Sequence, residues 1–136
     1  MRLWHYKLIP YLPNSQLTAQ WRELNSIYKN QPNHILINYV YKHEKRYLLE
    51  YSYLVMDELL KRGIKIKSLV NWYAYFDIPV DISFNLHYPE HNNKYLVQCF
   101  YNLQEKYDRG QKDFSEECYL KLEQFIKSKL NCAVIF

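Results

Sequence analysis

The chain has 136 residues, of which 49% are hydrophobic and 24% charged, with only two glycines and five prolines. This composition excludes a disordered or collagen-like chain and favours one packed domain, which we expect to span residues 1–136. Aromatic residues are frequent at 18%, and 15 of them are tyrosines. Each tyrosine brings a flat apolar ring and a hydroxyl that needs a hydrogen-bond partner when buried.

The net charge of +4 is unevenly distributed along the chain. Residues 1–68 carry 11 Lys/Arg and 5 Asp/Glu, a balance of +6, whereas residues 69–136 carry 7 and 9, a balance of −2. A basic half with interleaved aromatic residues suits DNA or RNA, because cations bind phosphates and rings stack on bases. A basic, solvated surface without a nucleic-acid partner explains the same charges.

Targeting and membrane signals are absent from the sequence. Cys99, Cys118 and Cys132 are widely spaced and form no C-x-x-C pair, which favours reduced thiols over disulfides or zinc ligands. The N-terminal residues lack the apolar run of a secretory signal, and no stretch is apolar for long enough to span a membrane. We therefore expect a cytoplasmic protein with no membrane association.

One short pattern is typical of a metal site. His87, Glu90 and His91 fit H-x-x-E-H, but Pro89 interrupts the helical turn that would align the two histidines. The sequence also lacks the glycine motifs that bind phosphates or dinucleotides. We therefore expect neither a metal ion nor an organic cofactor.

Hydrophobic periodicity predicts a mostly α-helical fold, a compact single-domain bundle of about four helices with irregular connecting segments. The first helix follows Pro13, with Asn14 or Ser15 as N-cap, and runs to about Lys29. Its apolar residues recur at helical spacing on one face, and the other face is polar.

Three further helices follow in chain order. The second runs over about residues 42–62 and ends at Gly63, the third occupies about residues 90–108, and the fourth starts near Ser115. Residues 64–86 have no clean period, so we expect them to be irregular or partly extended.

Polar residues that could take part in catalysis or binding share one face of the first helix. Gln16, Gln20 and Glu23 are spaced at i, i+4 and i+7 opposite the apolar stripe, and Arg22 lies beside them. A carboxylate and a guanidinium are therefore displayed together. An ordinary solvated helix face explains the same pattern.

Three segments of the first half carry a more specific pattern. The stretch from Gln16 to Leu24, QLTAQWREL, follows a short start of Met1-Arg2-Leu3, the second helix ends in Asp57–Gly63, and His34 precedes that helix. Together they resemble the phage-type pyrimidine-dimer DNA glycosylase/AP lyase family, which has an aromatic-Arg-Glu-Leu motif at the same distance from its N-terminus. The resemblance becomes faint after Asn71 and implies a compact, mostly helical domain.

The resemblance also implies a mechanism. The chain's own α-amine, at Met1, would attack C1′ of a damaged nucleotide, and Glu23 would stabilise the cationic sugar and move protons. β-Elimination from the resulting Schiff base then nicks the strand. An α-amine ordinarily has a pKa of about 7.7–8.0, so far more of it is free base near neutral pH than of a lysine amine. Arg2 is expected to block removal of Met1, and the alternative is that Met1 is only the initiator.

Damaged double-stranded DNA is the partner that the resemblance implies, with pyrimidine dimers as the lesion and no obligate protein partner. Arg2 and Arg22 would bind phosphates beside the lesion, and Gln16, Gln20 and His34 would line the pocket or contact the DNA. A purely structural histidine is the alternative for His34. Cations near the end of the second helix have two alternative roles. They form a phosphate track, a row of cations that bind DNA phosphates, or they only offset the helix dipole. These cations are Lys61, Arg62, Lys65 and Lys67.

The sequence departs from the family pattern at Ser26, where the family has an arginine, and at Gln16, where it has a histidine. Its second half has only faint echoes, at residues 77–79 and 88–91, and the final NCAVIF lacks the family's aromatic, basic tail. The choice of lesion therefore stays open. So do two non-catalytic alternatives: a small basic helical module that binds DNA or RNA, and a bundle that binds a partner through its aromatic surface.

Overall fold

The computed structural model describes residues 1–77 and 85–130. Within these ranges the chain forms no strand and five α-helices: α1 (Asn14–Asn30), α2 (Lys45–Lys61), α3 (Val70–Tyr75), α4 (Asn93–Asp108) and α5 (Glu116–Lys129). Two 3-10 helices, Tyr6–Tyr11 and Asn38–Lys42, precede α1 and α2. The prediction of a mostly helical fold is confirmed. Part of one faint family echo, residues 78–79, and the C-terminal tail with Cys132 lie outside the described residues.

No helix in the described part of the chain combines the length and the apolar character that crossing a membrane requires. The apolar side chains of α1, α2, α4 and α5 instead share one hydrophobic core.

The start of α1 differs from the prediction in its capping. Pro13 is the N-cap, its carbonyl accepts two backbone N–H groups of the first turn, and no side chain caps the helix. The prediction of Asn14 or Ser15 as N-cap is wrong. Ser15 instead donates its backbone N–H and its hydroxyl to the carboxylate of Asp113, at 2.8 and 2.7 Å, and so joins α1 to the loop between α4 and α5.

The end of α2 is a glycine stop, as its sequence predicts. Gly63 has φ of 72°, a left-handed conformation that costs glycine little, and the N–H of Ile64 bonds back to the Leu59 carbonyl at 2.9 Å. The helix begins at Lys45, later than predicted, because residues 38–42 form a 3-10 helix.

The expectation that residues 64–86 are irregular is wrong for Val70–Tyr75, which forms α3. This short helix packs against α1, with Tyr75 buried. The indole N–H of Trp72 donates to the Ser52 hydroxyl of α2 at 3.0 Å. Packing onto distant helices stabilises α3, and local periodicity does not contain that signal. The rest of the segment, residues 78–84, lies outside the described residues.

The N-terminal segment is folded into the interior. Leu3, Trp4 and His5 are buried, and the 3-10 helix that follows packs against α2 and α5. Met1 is partly buried and packs against the same core. The start of the chain is therefore fixed in position, and the residues that fix it include side chains of α1.

Candidate active site

Gln20 of α1 fastens the N-terminal segment to the helix. Its fully buried amide donates to the carbonyl oxygen of Arg2 at 3.0 Å and to the carboxylate of Glu23 at 3.1 Å. The amide oxygen accepts a hydrogen bond from the backbone N–H of Trp4 at 2.8 Å and lies 2.9 Å from the Tyr51 hydroxyl, which shares its single proton with the Trp4 carbonyl. Both donors and both acceptor positions of this amide are thus used within the protein.

The burial of Gln20 corrects an expectation from the sequence. Helical spacing places this residue on an open polar face, whereas its exposed fraction is 0%. The reason is that the N-terminal segment covers this face of α1, and periodicity within a helix does not reveal what folds over it. The structure connects Gln20 to Arg2 and Glu23, and a direct DNA contact does not fit its burial.

Glu23 lies half-buried close to the start of the chain. Burial raises the pKa of its carboxyl, while the charge of the Met1 amine, a hydrogen bond from the Arg2 backbone and the charges of Arg22 and His34 act to lower that pKa. Such effects require close approach. Glu23 therefore lies within the range over which three other nominated groups act on its charge: Met1, Arg22 and His34.

This cluster has the parts needed for acid–base and nucleophilic chemistry. An amine is a nucleophile in its unprotonated form, and a carboxylate beside it can accept and return protons. Burial favours the protonated form of Glu23 more than it would for an exposed glutamate. Arg22 is exposed and adds a positive charge at the rim.

The Arg2 side chain is held half-buried at the edge of the cluster. Its guanidinium carbon lies 5.7 Å from the ring centroid of Trp4 and 6.0 Å from that of Tyr95. One guanidinium nitrogen is 4.0 Å from the sulfur of Cys99. These cation–π contacts orient the side chain along the protein surface of α4.

Gln16 lies apart from the other candidates. Its side-chain N–H donates to the Gln111 amide oxygen at 2.9 Å, in the loop between α4 and α5. Gln16 is half-buried there, one helical turn before Gln20. The structure thus places this residue beside the cluster around Glu23 and not within it.

His34 belongs to a turn with many hydrogen bonds. Its backbone N–H donates to the Asn38 side-chain oxygen at 2.8 Å, and its Nδ1 accepts the Leu36 backbone N–H at 3.2 Å. Because Nδ1 accepts, the neutral ring carries its proton on Nε2. The turn therefore fixes the orientation of the His34 ring.

An open groove of about 530 Å³ lies along the Trp21 side of α1, and Arg22 is the residue that it shares with the cluster. Trp21 and Arg22 of α1 line one part of it, and Lys65 and Lys67, from the segment after α2, line another. Three cations around an aromatic side chain suit a polyanion whose bases have flat apolar faces.

Two tyrosines that the sequence analysis does not nominate hold the chain start in place. The Tyr51 hydroxyl of α2 lies 2.7 Å from the Trp4 carbonyl oxygen, and the Tyr95 hydroxyl of α4 donates to the Leu3 carbonyl. These partners are 47 and 92 residues apart in sequence. The only signal for them is the abundance of tyrosines on apolar stripes, where each hydroxyl needs a partner.

Two members of the H-x-x-E-H pattern have separate protein partners. Glu90 pairs with His43 at 2.9 Å, and the Nε2 of His91 lies 2.6 Å from the Tyr39 hydroxyl. Within residues 1–77 and 85–130, no three His, Cys, Asp or Glu side chains are arranged to hold a metal ion.

Comparison with known proteins identifies the family. A family model described as pyrimidine dimer DNA glycosylase matches residues 1–71, just over half of the chain. The matched region contains α1, α2 and the whole cluster around Glu23. The chain therefore belongs to the pyrimidine dimer DNA glycosylase family, and the resemblance seen in its motifs is confirmed. No curated protein and no solved structure matches the chain.

Proposed function

We propose that this protein acts on pyrimidine dimers in duplex DNA as a glycosylase and then nicks the strand as an AP lyase. The α-amine of Met1 is the nucleophile, and Glu23 is the essential carboxylate. The observation that carries the proposal is the placement of a fixed chain start beside a half-buried carboxylate, both bonded to Gln20. Family membership supplies the class of substrate.

The reaction begins when the unprotonated Met1 amine attacks C1′ of the damaged nucleotide. The N–C1′ bond forms as the C1′–base bond breaks, and the base leaves with that electron pair. Loss of a proton from the nitrogen and opening of the sugar ring, with a proton delivered to O4′, give a protonated imine. Removal of a C2′ proton then expels the 3′ phosphate with its electron pair, and water hydrolyses the imine to release the amine.

Glu23 serves this sequence in both of its protonation states. The carboxylate balances the positive charge of the sugar and the imine, and the neutral acid delivers the proton to O4′. Burial raises the pKa of Glu23, so the neutral form is more accessible than in an exposed glutamate. The hydrogen bonds from Gln20 and from the Arg2 backbone orient the carboxyl group toward the start of the chain.

Phosphate binding falls to the exposed cations of the groove. Arg22 lies at the rim beside Glu23, and Lys65 and Lys67 continue the positive charge along the same opening. A strand that follows this groove has its phosphates near three cations and its bases near Trp21.

The other nominated residues take roles that fit their placement. His34 contacts the DNA or relays protons beside Glu23, and Arg2 and Gln16 are flanking contacts, the former next to the nucleophile. Gln20 acts as a positioning residue, because its amide is used entirely within the protein.

Borohydride trapping tests the proposal directly. Protein with a native N-terminus is mixed with duplexes that carry a thymine dimer or an abasic site, since borohydride reduces the imine to a stable protein–DNA adduct. We expect an adduct on both duplexes, and none when additional residues precede Met1. An adduct on the thymine-dimer duplex indicates glycosylase activity, whereas an adduct on the abasic duplex alone indicates lyase activity alone.

Substitutions of two glutamates provide the matched comparison. Glu23→Gln is expected to abolish nicking with DNA affinity nearly unchanged, whereas Glu105→Gln, at an exposed position of α4, is expected to leave nicking unchanged. Absence of any adduct with the native N-terminus, together with ordinary DNA binding, would overturn the proposal and leave the non-catalytic DNA-binding module.

A further inference from the structure

One face of α4 is packed against the start of the chain. Tyr95 and Cys99 are four residues apart on this helix, so their side chains lie on the same face. The ring centroid of Tyr95 is 6.0 Å from the guanidinium carbon of Arg2, and the sulfur of Cys99 is 4.0 Å from one guanidinium nitrogen. The Tyr95 hydroxyl donates to the backbone carbonyl of Leu3. A single face of α4 therefore holds two successive residues of the N-terminal segment.

The N-terminal segment is held from two sides. The carbonyl of Arg2 accepts a hydrogen bond from Gln20 of α1 at 3.0 Å, and the next carbonyl, that of Leu3, accepts one from Tyr95 of α4. Each bond fixes one planar peptide group, and Met1 with its amine directly precedes them. Leu3 is fully buried, so its carbonyl needs a partner within the protein. The hydrogen bond from α4 is thus a second constraint on the chain start, beyond the one from α1.

Tyr95 is itself fixed by the beginning of its helix. Asn92, the N-cap of α4, accepts the backbone N–H of Tyr95 at 2.9 Å. The ring of His91, directly before the cap, has its centroid 5.1 Å from that of Tyr95, and its Nδ1 accepts the backbone N–H of Tyr6 at 3.2 Å. A side chain that is anchored at a capped first turn and packed against a neighbouring ring forms a rigid support. It therefore holds Leu3 in a fixed position relative to α4.

We propose that Tyr95 is a positioning residue for the Met1 amine, through the hydrogen bond of its hydroxyl to Leu3. This inference rests on the proposed function, to which it adds a contribution from residues 72–136, beyond the match to the family model. An amine that attacks C1′ must be held within a narrow range of positions, and a displacement of about 1 Å can slow such a reaction about a hundredfold. Loss of the hydroxyl frees the Leu3 peptide group and leaves the nucleophile less well placed, with the amine itself unchanged.

Tyr95→Phe tests the hydroxyl alone, because the ring beside Arg2 is kept. The matched control is Tyr119→Phe, which removes a hydroxyl that accepts a hydrogen bond from Gln104 at 3.0 Å and so joins α4 to α5. Single-turnover borohydride trapping on an abasic duplex gives the rate at saturating DNA and the DNA concentration at half of that rate. We expect Tyr95→Phe to lower the saturating rate about tenfold or more, with the half-saturating concentration within about twofold of wild type. Tyr119→Phe is expected to leave both unchanged.

Reaction of the amine with a small aldehyde separates its position from its reactivity. Formaldehyde reacts with an amine without DNA to align the two, and cyanoborohydride reduces the product to a methylamine that mass spectrometry detects. We expect the Met1 amine of Tyr95→Phe to be methylated no more slowly than that of wild type. A loss of methylation as large as the loss of DNA adduct would overturn the positioning role, because Tyr95 would then act on the amine itself.

The remaining outcomes separate this inference from the proposed function. With urea denaturation to confirm that each variant is folded, adduct formation by Tyr95→Phe at the wild-type rate, or an equal loss in Tyr119→Phe, would overturn the positioning role. Absence of any adduct with wild-type protein would overturn the proposed function. Hydrogen exchange at the Leu3 and Trp4 amides would then decide whether Tyr95 fixes the chain start. We expect faster exchange in Tyr95→Phe than in wild type or Tyr119→Phe, and equal exchange in all three would overturn the inference.

Discussion

The side-chain nitrogen of Gln20 donates to the Glu23 carboxylate at 3.1 Å and to the Arg2 carbonyl at 3.0 Å. Gln20 and Glu23 are three residues apart on α1, so the helix fixes the separation of their side chains. The second hydrogen bond fixes the start of the chain relative to that helix. One buried amide therefore determines how far the Met1 amine lies from the carboxyl group with which it is proposed to act.

Gln20→Met is expected to lower both stability and nicking. Methionine has a similar size but makes none of the hydrogen bonds of the Gln20 amide. The backbone N–H of Trp4, which donates to the Gln20 oxygen, is left without a partner. We expect the free energy of unfolding to fall by about 2–4 kcal/mol and the nicking rate to fall by more than the folded fraction does. Tyr51→Phe is the control, since it removes one hydroxyl beside the Gln20 and Trp4 oxygens, keeps the hydrogen bonds from Gln20 to Arg2 and Glu23, and is expected to cost about 1 kcal/mol. Wild-type nicking by folded Gln20→Met would contradict the positioning role.

Glu23→Gln is expected to stabilise the protein at neutral pH while it abolishes nicking. Burial raises the folded-state pKa of Glu23, so the folded chain holds this proton more tightly than the unfolded chain. The bound proton stabilises the fold at pH values below the unfolded-state pKa of Glu23, and this stabilisation is lost as pH rises through the folded-state pKa. At pH 7 the ionised Glu23 carboxylate is therefore destabilising. Urea denaturation should give Glu23→Gln a higher midpoint than wild type at pH 7 and an equal one near pH 4. A lower midpoint at pH 7 would contradict this reasoning.

Local patterns predict the long helices because apolar stripes and stop signals such as Gly63 are contained within each segment. They do not predict α3, since the partner of Trp72 is Ser52 on another helix. The same distinction applies at the site. A motif nominates Glu23, but the burial of Gln20 depends on an N-terminal segment folding back over α1, which no spacing within the helix records.

Arg62→Met is expected to act on stability. The Arg62 guanidinium donates to the Leu12 carbonyl at 2.6 Å, the Pro10 carbonyl at 3.1 Å and the Asn14 side chain at 3.0 Å, and it pairs with Glu58 at 3.0 Å. Charged hydrogen bonds contribute about 1.5–3 kcal/mol each, and they are not additive. We expect the free energy of unfolding to fall by about 2–4 kcal/mol, with the salt dependence of DNA affinity unchanged. A weaker salt dependence would assign Arg62 to the phosphate track.

Lys65→Met combined with Lys67→Met is expected to act on DNA binding. Both residues are exposed and line the groove beside Arg22. If each neutralises one phosphate, the slope of log affinity against log salt falls in magnitude by about 2. Binding titrations at several salt concentrations measure this slope, and urea denaturation should give a stability within about 0.5 kcal/mol of wild type. Lys106→Met with Lys112→Met, in and after α4, is the control and is expected to leave the slope unchanged.

The stability of the fold is expected to decrease in acid because of two buried histidines. The rings of His5 and His91 have centroids 5.4 Å apart. Burial lowers the pKa of His5 from 6.5 to about 4 and that of His91 from 6.5 to about 3. The unfolded chain therefore binds more protons than the folded chain below pH 6.5, and stability that is fully present above that pH is lost as pH falls. Between pH 7 and pH 5 we expect a loss of about 2 kcal/mol for each histidine.

His91→Asn separates the two contributions. The Nδ1 of His91 accepts the Tyr6 backbone N–H at 3.2 Å, and the asparagine side-chain oxygen can accept the same hydrogen bond without titrating in this range. The variant is less stable than wild type at pH 7 because the Tyr39 hydroxyl loses its 2.6 Å partner, but about half of the pH dependence should disappear. Urea denaturation of both proteins at pH 7 and pH 5 gives the two differences. A wild-type free energy of unfolding that is as high at pH 5 as at pH 7 would show that the buried histidines do not control the acid sensitivity of the fold.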